Sequence, residues 1–154
     1  MKNTLLIVIA LLSVSCVAQR NNFRNMTEKN GKIGINTNAP DEMLTVKGKI
    51  HTQEVLVDLQ GAVAPDYVFE QYANGTSILK PTYALLPLKA VEAFVLQHKH
   101  LPGVPSAKDM KDNGIALKEM NLVLLEKIEE LTLYTLQQQK EIDALKEKLS
   151  ELED

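Results

Sequence analysis

The sequence predicts an α+β protein, an elongated homo-oligomer with short N-terminal β segments, a small helical collar and a C-terminal parallel coiled coil. Three observations support this prediction. The 154-residue chain has no Gly or Pro after residue 116, and apolar residues there recur in steps of three and four. Before residue 66, short alternating runs are separated by turn residues. Only about 80 residues are left for a globular core, which is marginal unless partners share it.

The N-terminus has the pattern of a secretory signal peptide. Lys2 gives a positive start, residues 5–12 are all apolar, small residues follow, and polar sequence begins at Gln19. A run this short cannot span a bilayer, which takes about 20 residues. We therefore predict a signal peptide over 1–18, cut between Ala18 and Gln19, no membrane span, and a protein that is secreted or held at the cell surface.

The lone cysteine leaves a second interpretation of this segment open. Cleavage before Cys16 would give a lipidated N-terminus, although Ser13 stands where such a signal prefers Leu. Lipid anchoring is therefore an alternative to free secretion. In both cases no disulfide can form within one mature chain, so the fold does not depend on oxidation.

Short β segments are predicted after a polar start. The Asn-rich stretch 19–30 predicts a flexible lead-in, and the Asn30-Gly31 pair predicts a turn. Residues 31–65 are predicted to be a β shaft-like segment, because apolar residues alternate with others in three runs. These runs are Ile33 and Ile35, then Leu44 and Val46, then Val55, Val57 and Leu59. A sheet this small has open edges and no second layer, so it is better satisfied when several chains wrap around one another.

A small collar of helices and loops is predicted over 66–116. Pro87 suits the first position of a helix, because its missing N–H has no partner there in any case. This helix should end near His98. Ser106, with Asp109 three residues later, can cap a second short helix. The apolar face of the first helix is predicted to pack the collar through Leu88, Val91, Phe94 and Val95.

Residues 117–154 are predicted to form a coiled-coil helix. Glu141 at heptad position g faces Lys146 at e of a parallel neighbour, and Lys148 faces Glu153 in the same way. These opposite charges predict parallel, in-register copies. The apolar a and d positions hold the predicted oligomerisation residues, which are Leu124, Ile128, Leu131, Ile142, Leu145, Leu149 and Leu152.

The spacing alone leaves the number of strands open between dimer and trimer. Ile at a with Leu at d, together with Asn121 at an a position, favours dimers. Leu149 at a favours more strands, and so do apolar residues outside the seam, because a two-stranded coil would leave them in water. Thr135 and Gln138 interrupt the seam, and polar residues there fix the register at a cost in stability.

Most of the mature chain resembles tail-fibre-like surface proteins of Bacteroidetes. The resemblance of the C-terminal module is carried by DYVF at 66–69, HLPGVPSA at 100–107 and KIEELTLY at 127–134. Residues 31–40 and 44–48 resemble the short repeat of phage tail-fibre shafts. The resemblance implies a homotrimer with an intertwined β shaft and a coiled-coil end, and it favours three strands over two.

No group of residues predicts an enzyme, a cofactor or a metal site. His98 and His100 lie two residues apart with no third ligand nearby in sequence, whereas zinc sites take three or four. The sequence has no Cys pair, no phosphate-binding Gly loop and no nucleophile elbow. The acidic pairs Asp41-Glu42 and Glu129-Glu130 are interpreted as solvated surface.

The predicted function is therefore structural. A net charge of −3, which becomes −4 when Lys2 is removed with the signal peptide, offers no general surface for nucleic acid. We predict an exported, trimeric, tail-fibre-like or adhesin-like surface protein whose partner is itself. The alternative is a receptor- or glycan-binding fibre tip, with contact loops around Asn74-Gly75 and 101–105. A third interpretation is a self-processing intramolecular chaperone. Fibres of that kind cut at a Ser-Asp pair, and this sequence contains none.

Overall fold

The computed structural model describes residues 23–153, in two compact units that divide between Val55 and Leu56. The predicted signal peptide, its cleavage site at Ala18 and Gln19, and Cys16 lie outside the described residues. Within them the chain forms three strands and four helices, so the predicted mixture of α and β structure is confirmed. No helix in this range has both the length and the apolar composition that a membrane crossing needs.

The first unit contains a three-stranded sheet, in which β1 (Met26–Lys29), β2 (Lys32–Ile35) and β3 (Leu44–Val46) lie side by side in that order. The first two strands form an antiparallel hairpin. Asn30 and Gly31 join them with φ values of 54° and 76°. Two consecutive left-handed residues are what a type I′ turn requires, and Asn-Gly is a preferred sequence for it.

The first strand lies in the segment predicted to be a flexible lead-in, and that prediction is wrong for Met26–Lys29. Its polar composition predicted disorder. The I′ turn instead folds this segment back onto the second strand, with Met26 opposite Ile35 and Lys29 opposite Lys32. Pairing with an alternating strand therefore decides the conformation, because the hairpin turn is encoded locally by two residues.

The second and third strands run parallel, although only residues 36–43 connect them. Parallel strands usually need a crossover of a dozen or more residues. Here Asn36 is left-handed, with φ of 58°, and its side-chain amide donates a hydrogen bond of 3.0 Å to the carbonyl oxygen of Lys47. The Thr45 hydroxyl accepts from the N–H groups of Asp41 and Glu42, both at 3.1 Å. Hydrogen bonds between side chains and the backbone thus hold this short connection in place.

The last alternating run does not form a strand. Val55, Val57 and Leu59 are exposed and have no ladder partner within the described chain. Alternation predicts which face of a strand is apolar, but a strand exists only where a neighbour supplies hydrogen bonds. The predicted β pattern of this run is therefore not realised within one chain.

The second unit contains four helices, which are α1 (Tyr67–Asn74), α2 (Leu88–His98), α3 (Ala107–Asn113) and α4 (Leu117–Glu153). The helix predicted to begin at Pro87 begins one residue later, with Pro87 as its N-cap, and it ends at His98 as expected. The predicted cap of α3 is confirmed as a complete capping box, in which Asp109 N–H donates to Ser106 Oγ and Ser106 N–H donates to the Asp109 carboxylate. The last helix has 37 residues, which corresponds to about 56 Å.

We predict that Gly34→Ala destabilises the sheet and that Gly48→Ala does not. A Cβ on Gly34 would lie 2.4 Å from the carbonyl oxygen of Thr37, whereas a Cβ on Gly48 meets nothing within 4 Å. Such overpacking costs about 1–3 kcal/mol. Hydrogen exchange of the Ile33 and Lys47 amides, which bond between the two parallel strands, reports the loss. Equal protection in the two variants would show that the tight connection is not needed.

Candidate assembly interface

The predicted oligomerisation residues form an exposed stripe on α4, which Thr135 and Gln138 interrupt. Their exposed fractions run from 45% for Leu124 and Ile142 to 83% for Leu152. The other four members, Ile128, Leu131, Leu145 and Leu149, lie between these limits. Within the described residues, therefore, no other part of the chain buries the a and d positions.

The buried contacts between α4 and the small core of the same chain use the opposite face of the helix. Glu126, Glu129, Glu130 and Leu133 are buried or half-buried, and their spacing of three, four and seven residues places them on one stripe. At 100° per residue, this stripe is centred about 180° from the a and d positions. One helix thus holds its own collar on one side and leaves the predicted seam free on the other.

A small core joins α1 to α4. It consists of Tyr67, Val68, Tyr83 and Leu133, with Leu85 packed against it. The two tyrosine rings lie 5.0 Å apart between centroids, a favourable distance for an aromatic pair. Val68 is fully buried. Tyr67 and Val68 come from the DYVF segment, which the sequence showed only as short and aromatic. They are buried because this segment folds as a helix on α4, whereas Phe69 of the same segment is 41% exposed.

A polar network surrounds this core. The Tyr67 hydroxyl donates to the Glu126 carboxylate, and the Lys80 ammonium lies 3.2 Å from the Tyr67 oxygen and 3.4 Å from Glu126. The same ammonium lies 4.4 Å from the centre of the Tyr67 ring, a cation–π contact. The Tyr83 hydroxyl donates to Glu130 at 3.3 Å. The edges of the core are therefore held by charged groups on α4.

Lys127 connects the two network carboxylates. Its ammonium lies 2.8 Å from Glu126 and 2.9 Å from Glu130, and its side chain is only 14% exposed. Burial acts to raise the pKa of Glu126, but hydrogen bonds from Lys127 and Tyr67 outweigh burial and hold that pKa below its ordinary value. For Lys127, burial acts to lower the pKa, and its bonds to both carboxylates raise it above normal. Both groups therefore stay charged at neutral pH.

Glu129 lies beside this network without a partner of its own. It is 6% exposed, and its Oε2 atom has no hydrogen-bond partner. Burial, followed by the nearby charges of Asp66 and Glu126, raises the pKa of this carboxyl. The interpretation of Glu129 and Glu130 as solvated surface is therefore wrong, because Glu129 is buried and Glu130 is half-buried and bonded to Tyr83 and Lys127.

The loop that carries Lys80 is fixed by a buried serine. Ser77 is 2% exposed, and its hydroxyl donates to the Glu70 carboxylate while accepting from the N–H groups of Leu79 and Lys80. The hydrogen bond from Ser77 lowers the pKa of Glu70. This arrangement orients Lys80 toward Tyr67. No local motif indicated it, because its members are brought together by the turn after Gly75.

The collar also covers the g side of α4. The Tyr134 hydroxyl, at a g position, donates to the carbonyl oxygen of Leu86 at 2.6 Å. A Cβ on Gly103 would lie 3.9 Å from Cε of Lys127, so the HLPGVPSA loop lies against the stem of that lysine. Gly103 has φ of 78°, a conformation that favours glycine. The HLPGVPSA and KIEELTLY segments, which both carry the family resemblance, thus lie close together.

The four residues predicted to pack the collar are less enclosed than expected. Val91 and Phe94 are half-buried, whereas Leu88 and Val95 are exposed. Phe94 packs against His98 and His100, with ring centroids 4.3 Å and 5.5 Å away. In the described residues no three His, Cys, Asp or Glu side chains come together in a way that could hold a metal ion.

No protein-family model, curated protein or solved structure matches the chain. The resemblance to tail-fibre-like surface proteins accordingly stays a prediction from the quoted segments.

We predict that Glu129→Gln stabilises the collar at pH 7 and has no effect near pH 4. The pKa of Glu129 is raised in the folded chain, so the ionised carboxylate destabilises the fold above that pKa. The cost disappears as falling pH protonates the group. Removing it should gain about 1 kcal/mol at neutral pH. Thermal unfolding followed by the near-UV circular dichroism of the tyrosines measures this.

The matched control is Glu130→Gln, which loses the bonds to Lys127 and Tyr83. It should lower the melting temperature at pH 7. If Glu129→Gln behaved like this control, Glu129 would not be the uncompensated charge that the structure indicates.

We also predict that Tyr67→Phe costs about 1–3 kcal/mol, because it leaves the half-buried Glu126 and Lys80 without a shared partner. Tyr72→Phe is the control, since its hydroxyl binds Lys140 on an exposed surface and its loss should cost less than about 0.5 kcal/mol. Urea unfolding of the two variants under identical conditions separates them. Equal midpoints would assign no stabilising role to the network.

Proposed function

We propose that this chain is an exported structural protein, tail-fibre-like or adhesin-like, which assembles as a parallel homotrimer through α4. The observation that carries the proposal is the exposed stripe of a and d residues opposite the collar. This helix packs against its own chain on one face, and its second apolar face stays in water in a single copy. Exposed apolar surfaces of this extent mark sites of association.

The C-terminal end of α4 is the strongest support. Residues 141–152 are exposed throughout, although Ile142, Leu145 and Leu149 are apolar and regularly spaced. Burying each of these side chains would stabilise an assembly by about 1.5–3 kcal/mol. In a single copy these side chains stay in water, so none of this energy is gained. Helix propensity alone makes only a marginal contribution to the stability of such a helix.

Charge favours other copies of this chain as the partner. Glu141 and Lys146 are both exposed, and in a parallel pair of copies each g carboxylate faces an e ammonium of its neighbour. Such pairs contribute little energy when exposed, but they select orientation and register. In antiparallel copies, Glu141 of one chain would not face Lys146 of the other in this way.

The position of the collar is compatible with a central coil. Because Tyr67 and its neighbours pack on the b, c and f side, the collars of several copies can surround a bundle without entering its seam. Three strands are favoured over two by Leu125, an exposed apolar residue at the e position beside the seam, and by the family resemblance. Export is supported by the sequence pattern of residues 1–18.

The test is the mass of the assembly and its dependence on the seam. With residues 1–18 removed, light scattering after size exclusion should give three times the chain mass at micromolar concentration. Ile142→Asp should release monomer, because each aspartate buried without a partner costs about 2 kcal/mol or more, which is more than a tenfold change in affinity.

Ala144→Asp introduces the same charge at an exposed position outside the seam and should leave the mass unchanged. A monomeric parent chain at this concentration would overturn the proposal. Equal behaviour of the two aspartate variants would overturn the assignment of the seam.

A further inference from the structure

The start of α4 and helix α3 enclose an apolar cleft, to which α4 contributes residues at its f, g and c positions. It holds about 180 Å³ and is lined mainly by apolar residues, among them Pro105, Met110, Ile115, Met120 and Val123. Met120 occupies heptad position g, so it forms the part of the lining nearest to the seam. Methionine side chains adapt to the shape of an incoming apolar group.

The two flanks of the seam differ. On the g side, Lys127 is 14% exposed under the HLPGVPSA loop, and Tyr134 is tied to the carbonyl of Leu86. On the e side, Leu125 is 43% exposed and Thr132 is exposed as well. The collar therefore covers one flank of the helix and leaves an apolar residue open on the other.

These unlike flanks are complementary between copies. In a parallel, in-register coil, a g residue of one copy faces the e residue five positions later in the next copy. The opposite charges of Glu141 and Lys146 set this register. The same rule places Leu125 of a neighbouring copy opposite Met120. Around a three-fold axis each copy can offer its cleft to one neighbour and its leucine to the other, so the contact closes into a ring.

We propose that the cleft is an interface site that takes Leu125 of a neighbouring copy, packed against Met120 at its opening. This inference deepens the proposed function and depends on it. It also explains why the g–e pairs differ along the helix. The first pair, Met120 with Leu125, is apolar, and the collar is present there to help bury it. The pair of Glu141 and Lys146 is charged, and both of its residues are exposed. The proposed occupant of the cleft is thus one side chain, Leu125 of a neighbouring copy, in the register that places it opposite Met120.

The test uses full-length chains with Cys16→Ser and one new cysteine each. Chains carrying Met120→Cys are unfolded and refolded together with chains carrying Leu125→Cys, and a short bis-maleimide is added. Because each chain has one cysteine, no crosslink can form within a chain. We expect a covalent pair in the mixture at several times the yield from either variant alone.

Two further mixtures make the outcomes distinguishable. Glu141→Cys with Lys146→Cys reports the coil itself, without the cleft. Met120→Cys with Thr132→Cys is one heptad out of register, about 10 Å further along the helix, and should give only background.

Crosslinking of the 141/146 mixture without the 120/125 mixture would overturn the cleft inference and leave the trimer standing. Background yields in both, with a monomeric mass, would overturn the proposed function itself. A yield from the 120/132 mixture equal to that from 120/125 would overturn the register.

Discussion

The division of α4 into two faces is the constraint on which the rest of the second unit depends. One stripe carries Glu126, Glu129 and Leu133 and accepts α1 and the tyrosines; the opposite stripe carries the apolar a and d positions and stays exposed. Because a helix turns 100° per residue, the two stripes can be about 180° apart without competing for space. A collar placed on the a and d positions would have closed the seam, and the helix would then offer no surface for a second copy.

The polar network gives the collar one orientation on α4. Apolar contacts between α1 and α4 alone would tolerate sliding, since a core of four residues specifies little. The bonds from Tyr67 to Glu126 and from Tyr83 to Glu130 fix both position and direction, with Lys127 balancing the two charges. Glu129, which no group compensates within the described chain, opposes this stability. A network of charges beside a small core therefore contributes specificity more than net energy.

The sheet of the first unit depends on local turn chemistry. Asn30-Gly31 supplies the hairpin, and Asn36 together with Thr45 closes an unusually short parallel connection. Three short strands with an exposed Ile33 and Leu44 form a marginal unit. Their stability depends on hydrogen bonds between side chains and backbone, which is why a buried glycine at position 34 matters there.

Several elements of this protein are predictable because their signals are local. The Asn-Gly turn, the capping box at Ser106 and Asp109, the helix after Pro87 and the uninterrupted last helix follow from residues within a few positions of one another. Contacts between distant segments are needed to explain why β1 pairs, why Val55 and its neighbours do not, and why Glu126 and Glu130 bind tyrosines 59 and 47 residues away in sequence. These outcomes depend on which distant segment covers a side chain, and that information is absent from any local pattern of polarity.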